Sequence, residues 1–254
     1  MSFGIAGDSY DRFMGRYSRQ LAPRFVAFAG VEPGTRALDV GCGSGLLAAA
    51  LAARLGATNV AAADPSRPLL DACAARVPGA DVRQAPAEEL PWPDESFDAV
   101  LSQLVLNFVP DADAALAEMC RLVVRGGIVA SCTWDYAGGM RMLRTFWDAA
   151  TELDPHAPDE HSMRYRSAEE LAGLWERGGL DDVGTAPLDV EVGYESFDDY
   201  WEPFTLGVGP AGAYCASLAP GQREALREGC FKRLGSPAGP FSLTARAFAV
   251  RGTR

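Results

Sequence analysis

The chain has 254 residues, 48% hydrophobic content and a formal net charge of −11, which suits one globular domain with a sizeable core, or one domain with an added cap. That charge, with arginines scattered among acids, excludes the clustered basic surface that phosphate backbones require, so no nucleic-acid partner is expected. No apolar run reaches the roughly twenty residues of a membrane span. The first residues also lack the basic-then-apolar order of a signal peptide, so a cytoplasmic protein is expected. The six cysteines lie far apart without a C-x-x-C pair and read as buried free thiols.

Residues 9–19 carry Tyr10, Phe13, Met14 and Tyr17 among basic and polar neighbours, a segment suited to lie over a pocket as a lid. The next helix is expected over 20–28, closed by Gly30 and the turn Glu32-Pro33-Gly34. The apolar run 37–40 then enters Gly41-Cys42-Gly43-Ser44-Gly45, and an alanine- and leucine-rich segment from Leu46 to Leu55 leaves it. That order reads as strand, tight turn and helix, with glycines that admit positive φ and let a ligand approach bare backbone.

A second short strand ends at Asp64-Pro65, about twenty residues past the glycines, where a carboxylate in a βαβ unit faces ribose hydroxyls. Asp64 also suits a helix N-cap. The spacing G-x-G-x-G, with Asp39 two residues before the first glycine, differs from the dinucleotide pattern G-x-G-x-x-G. A carboxylate there repels a pyrophosphate and attracts an ammonium or sulfonium. S-adenosylmethionine has that charge pattern.

Further along, the pattern predicts a helix over 68–77, strands at 81–84 and 97–103, a helix over 113–124 ended by Gly126-Gly127, and a strand at 128–133. Five alternations of strand and helix imply a parallel, doubly wound α/β sheet. Helices are expected at 141–153 and, after the capping box Ser167-Ala168-Glu169-Glu170, up to Arg177. Between them, His156 and His161 lie in a proline-rich acidic stretch that reads as a solvated loop rather than a metal site. The strands at 183–194 and 242–250 form a terminal hairpin. Residues 196–240 interrupt it with Phe197, Tyr200, Trp201 and Phe204, glycine- and proline-rich turns, and a helix over 220–234.

Taken together, Leu38 to Gly45, Ala63-Asp64-Pro65-Ser66, Ala87-Glu88-Glu89-Leu90-Pro91-Trp92, Ser96-Phe97-Asp98-Ala99-Val100 and Arg125-Gly126-Gly127 resemble, in order, the motifs of the class I S-adenosylmethionine-dependent methyltransferases. The branch most similar holds the ubiquinone and menaquinone biosynthesis methyltransferases. The resemblance implies a Rossmann-like seven-stranded sheet, five strands parallel plus the hairpin. It implies an arm (1–30) that covers the cofactor, a core (31–195 and 241–254) and a helical cap (196–240).

For the cofactor, S-adenosylmethionine, it implies contacts from Tyr17, Asp39, Gly41, Cys42, Gly43, Gly45, Asp64, Pro65, Ala87, Glu88 and Gln103. For the acceptor, a small molecule, it points to Tyr10, Met14, Asn107, Trp134, Trp201 and Phe204. The family commonly places an acid before the adenine loop, where this chain has Ala85-Pro86. Nothing in the spacing selects a general base; His156, His161 and the acids are candidates. A silent binding module and a nicotinamide-dependent dehydrogenase stand as alternatives, and the acceptor and the oligomeric state are not read from the sequence.

Overall fold

The computed structural model describes residues 11–254, so Tyr10 lies outside the described residues. Seven strands form one sheet in the order β3-β2-β1-β4-β5-β7-β6. They are β1 (Ala37–Val40), β2 (Val60–Asp64), β3 (Asp81–Gln84), β4 (Phe97–Gln103), β5 (Val123–Trp134), β6 (Asp181–Tyr194) and β7 (Phe241–Thr253). The first five pair in parallel, and β7 runs antiparallel between β5 and β6. The central strands β1 and β2 are buried along their whole length, as helices on both faces require. The expected doubly wound α/β sheet with a C-terminal hairpin is therefore the fold observed.

The helices are α1 (Arg16–Ala29), α2 (Leu46–Leu55), α3 (Arg67–Arg76), α4 (Ala112–Leu122), α5 (Arg141–Leu153), α6 (Ala168–Arg177), α7 (Phe197–Trp201), α8 (Gly209–Ser217) and α9 (Pro220–Arg233). Helix α1 begins four residues before the expected start, after a π-helical turn at Asp11–Gly15. Pro23 lies inside it and withdraws one backbone donor. The helix persists because Tyr17, Leu21 and Phe25, spaced four apart, are fully buried on one face.

Helix α4 also stops earlier than expected. β-Branched Val123 pairs with Phe97, so the chain passes straight into β5, and Gly126 (φ +76°) and Gly127 lie within that strand. The bulge is pinned by the last residue, because Gly126 N–H donates to the Arg254 carbonyl and Arg254 N–H donates to that of Gly127.

Between β6 and β7 the chain makes α7, a 3-10 turn (Glu202–Leu206), α8 and α9. Helix α8 falls where turns were expected, because Pro210 in its first turn has φ already set for a helix. Phe204 joins this insertion to the rest of the molecule, stacking on Phe146 of α5 at 4.5 Å and meeting Phe13 edge-on at 5.2 Å.

Candidate active site

The carboxyl ends of β1, β2, β4 and β5 open onto one cleft of about 960 Å³, the usual place for a ligand in an open α/β sheet. Its floor is the glycine turn. Gly41 has φ +72°, and a Cβ on it would meet Val105 Cγ1 at 2.6 Å, so only glycine fits. Gly43, at φ +52°, faces open space and leaves backbone bare to the cleft.

The turn is held from the neighbouring strand. Gly41 and Cys42 N–H both donate to the Ala63 carbonyl, at 2.8 and 2.9 Å. Gly43 N–H donates to Asp64 Oδ2 at 2.9 Å, while Asp64 Oδ1 accepts from Ser66 N–H at 2.8 Å. Asp64 therefore ties β2, the glycine turn and the start of α3 together, and each ionised oxygen keeps a further lone pair. Burial raises its pKa, and the Ser66 and Gly43 amides work against that rise. Because these amides already donate within the chain, they are not spare donors for a pyrophosphate.

Asp39 is 1% exposed and lines the cleft; the Ala48 amide acts on it, but among the described residues neither carboxylate oxygen accepts a hydrogen bond of ordinary geometry. Burial pushes its carboxyl up to about 8; the Ala48 amide pulls it down and the Asp64 charge pushes it further up. A buried carboxylate so weakly partnered is costly, and here it faces a cavity that a cation can enter. Among the described residues the other orphaned buried side-chain atoms are Ser18 Oγ, Gln103 Oε1 and Asn107 Oδ1, all at or beside this cleft. Leu104, next to Gln103, takes a left-handed conformation (φ +64°), an unfavourable one for its side chain.

The cleft brings together Met14, Asp39, Gly41, Cys42, Gly43, Asp64, Pro65, Ala87, Glu88, Gln103 and Trp134 from the sequence-derived set, and Leu69 lines it as well. Five others stand elsewhere. Gly45 (φ +85°) is a packing position, where a Cβ would meet Cys73 Sγ at 2.8 Å. Tyr17 is fully buried, its hydroxyl 2.8 Å from that of Tyr194 and its ring edge-on to Trp134 at 6.1 Å. Trp201 and Phe204 pack in the aromatic cluster around Phe146. Asn107 sits just behind the wall, its Nδ2 donating to Tyr136 Oη at 3.1 Å.

The arm reaches the cleft through Phe13 and Met14. It is latched by Asp11, which accepts from Arg76 of α3 and from Ser44 Oγ in the glycine turn. His156 and His161 are exposed, and among the described residues no cluster of three or more His, Cys, Asp or Glu is placed to hold a metal. All six cysteines are free, five of them buried. No described helix is long and apolar enough to cross a membrane.

Sequence reasoning did not single out Glu160. It is 6% exposed, lines the cleft, and accepts from Trp147 Nε1–H at 2.7 Å. Burial raises its pKa to about 7, and the Trp147 hydrogen bond opposes that rise. Its neighbours Asp154, Pro155, His156, Pro158 and Asp159 are all polar or turn-forming, and only the distant contact with α5 draws this one acid inward.

Residues 38–131 match the family described as a methyltransferase domain. An uncharacterized protein of Mycobacterium tuberculosis is 38% identical over 130 residues, 49% of this chain and 47% of that protein. The ubiquinone/menaquinone biosynthesis C-methyltransferase of Xanthomonas campestris is 42% identical over 110 residues, 41% of this chain and 44% of that protein. The chain spans about half the length of the curated relatives it matches. Among solved structures, a phosphoethanolamine N-methyltransferase of Haemonchus contortus, in complex with phosphomonomethylethanolamine and S-adenosylhomocysteine, aligns with a TM-score of 0.57 at 17% identity. That alignment covers 100% of this chain and 60% of that one, a likeness of fold.

Proposed function

We propose, for a chain whose residues 38–131 match the methyltransferase domain family, that it transfers a methyl group from S-adenosylmethionine to a small-molecule acceptor. The observation that carries this reading is Asp39, a buried, cleft-lining carboxylate whose oxygens accept no hydrogen bond of ordinary geometry from the described residues. The ammonium of the methionyl moiety supplies the missing charge and the missing donors. Asp64 is the ribose partner: two hydroxyls donate to oxygens that the Gly43 and Ser66 amides already orient. Ala87, Glu88 and Leu69 line the adenine end. With Ala85-Pro86 at the position of the family's usual acid, that end holds the base mainly through apolar surface and backbone.

When bound, S-adenosylmethionine offers a methyl group on a cationic sulfur, displaced in line by a nucleophile. The chain's work is to hold the nucleophile on that line and to exclude water, which lowers a barrier by roughly 7–11 kcal/mol. Gln103, Leu104 and Trp134 stand at the ends of β4 and β5 and border the reacting region. Phe13, Met14 and Val208 close it from the arm and the insertion. A cleft of about 960 Å³ accommodates the cofactor together with a small acceptor, and the net charge of −11 disfavours nucleic acid as that acceptor. Incubation with methyl-labelled S-adenosylmethionine and a panel of small amines, phenols and alcohols tests the reading. Label must move to at least one of them, and at pH 8.5 with sub-saturating cofactor Asp39→Asn must transfer it about 10- to 150-fold more slowly, whereas binding without transfer to any acceptor would leave only a silent binding module.

A further inference from the structure

The cleft continues past the reacting region toward β5, and its chemistry there is one-sided. Gln103 Oε1 accepts no hydrogen bond among the described residues, Glu160 takes the Trp147 indole N–H, Asn107 Oδ1 lies unsatisfied just behind the wall, and no lysine, arginine or histidine lines the cleft among the described residues. The surrounding wall is aromatic and aliphatic, with Trp134, Tyr136 and Leu143. The strand order places Asp64, at the tip of β2, on one flank of β1 and Trp134, at the tip of β5, on the other. Glu160 is held toward the β5 half of the sheet, because it is bonded to Trp147 of α5, which packs on β7, the neighbour of β5. One of its oxygens takes the indole N–H, and no other described side chain or amide donates to the carboxylate.

We propose that Glu160 is the proton acceptor for the methyl acceptor, and that this end of the cleft takes a small apolar-bodied molecule whose nucleophile is an O–H or N–H group, never an anion. The proposal rests on the methyltransferase reading. In the step, the acceptor's X–H bond breaks and its proton passes to Glu160. The electron pair on X forms the bond to the methyl carbon, and sulfur leaves with the former carbon–sulfur pair as a neutral thioether. Charge balances, since one carboxylate and one sulfonium are consumed together.

The setting suits this role. Burial brings the Glu160 carboxyl up to about 7, where a general base works best near neutral pH. The other groups acting on it are Asp159, which raises it, and Arg144, which lowers it. Arg144 is itself paired with Asp148 and Asp159 at 2.8 Å each, while His161 points to solvent and Tyr136 shares the wall.

The test uses the full chain saturated with S-adenosylhomocysteine and three probes of one shape: phenethylamine, 3-phenylpropanol and 3-phenylpropionate. The amine or the alcohol binds, and the carboxylate binds at least about tenfold more weakly. Glu160→Gln keeps an oxygen for Trp147 but weakens the amine or alcohol about tenfold or more, the scale of a hydrogen bond to a charged group. It leaves S-adenosylhomocysteine affinity unchanged. Independently of any acceptor, the Trp147 indole N–H resonance titrates with a midpoint near 7, set by the Glu160 carboxyl. That titration disappears in Glu160→Gln. Trp147→Phe keeps the acid, removes the donor that lowers its pKa, and moves the pH dependence of probe binding upward.

Preference for the propionate, equal probe binding by Glu160→Gln, no binding by any probe at millimolar concentration, or an indole resonance insensitive to pH would each overturn the proposal. Failure of S-adenosylhomocysteine itself to bind would instead overturn the reading beneath it.

Discussion

Replacing Asp39 by Asn removes a charge and keeps the shape, and the two consequences have opposite signs. In the free protein the carboxyl is raised to about 8 by burial, against roughly 3.9 in an unfolded chain. A group whose folded pKa is raised favours the fold fully below its unfolded value, and that contribution is lost as pH rises through the folded value. Between about pH 4 and 8 the native protein therefore loses stability relative to Asp39→Asn, with an upper bound of roughly 6 kcal/mol above pH 8. Water entering the cleft reduces that figure.

Ligand binding runs the other way. The ammonium requires the carboxylate, so below pH 8 cofactor affinity of the native chain rises about tenfold per pH unit, with release of close to one proton. At pH 8.5 the variant binds S-adenosylhomocysteine about 10- to 150-fold more weakly, from roughly 1.5–3 kcal/mol for a charge-assisted hydrogen bond. Calorimetry at several pH values, beside thermal melts of the free proteins, reads both effects. A variant with native affinity and a native pH slope would refute the assignment of Asp39 to the ammonium.

Three substitutions probe the cleft and the packing around it. Asp64→Ala weakens S-adenosylhomocysteine by roughly 1.5–3 kcal/mol and, because the Gly43 and Ser66 amides lose their acceptor, also lowers the melting temperature; unchanged affinity would remove Asp64 from the ribose site. Gly41→Ala forces a Cβ to within 2.6 Å of Val105 at φ +72° and costs about 1–3 kcal/mol of stability by chemical denaturation. Tyr17→Phe breaks the buried contact with the Tyr194 hydroxyl and destabilises the protein by about 1 kcal/mol without changing cofactor affinity; a large affinity loss would return Tyr17 to the cofactor.

The sheet and the glycine turn were legible in the sequence because both rest on short-range pattern. Alternating strands and helices announce themselves locally, and the placing of Asp39 and Asp64 on adjacent parallel strands at one cleft follows from βαβ geometry. The interior fate of Tyr17, Trp201 and Phe204 was not legible. An aromatic in an arm or a cap reads the same whether it faces a ligand or, as here, Tyr194 and Phe146. Gly45 shared its motif with Gly41 and Gly43, yet contact with Cys73 gives it a packing role. Glu160 was hidden for the converse reason, since its polar neighbours mark a solvated loop and only the Trp147 side chain draws it inward.

The central claim is that a carboxylate-flanked glycine turn, its amides already engaged within the chain, selects an adenosyl sulfonium over a diphosphate. Calorimetric titration of the protein with S-adenosylmethionine and with NAD, side by side at pH 8.5, tests it most directly. The account predicts stoichiometric binding of S-adenosylmethionine and no binding of NAD; binding of NAD, or of neither, would contradict it.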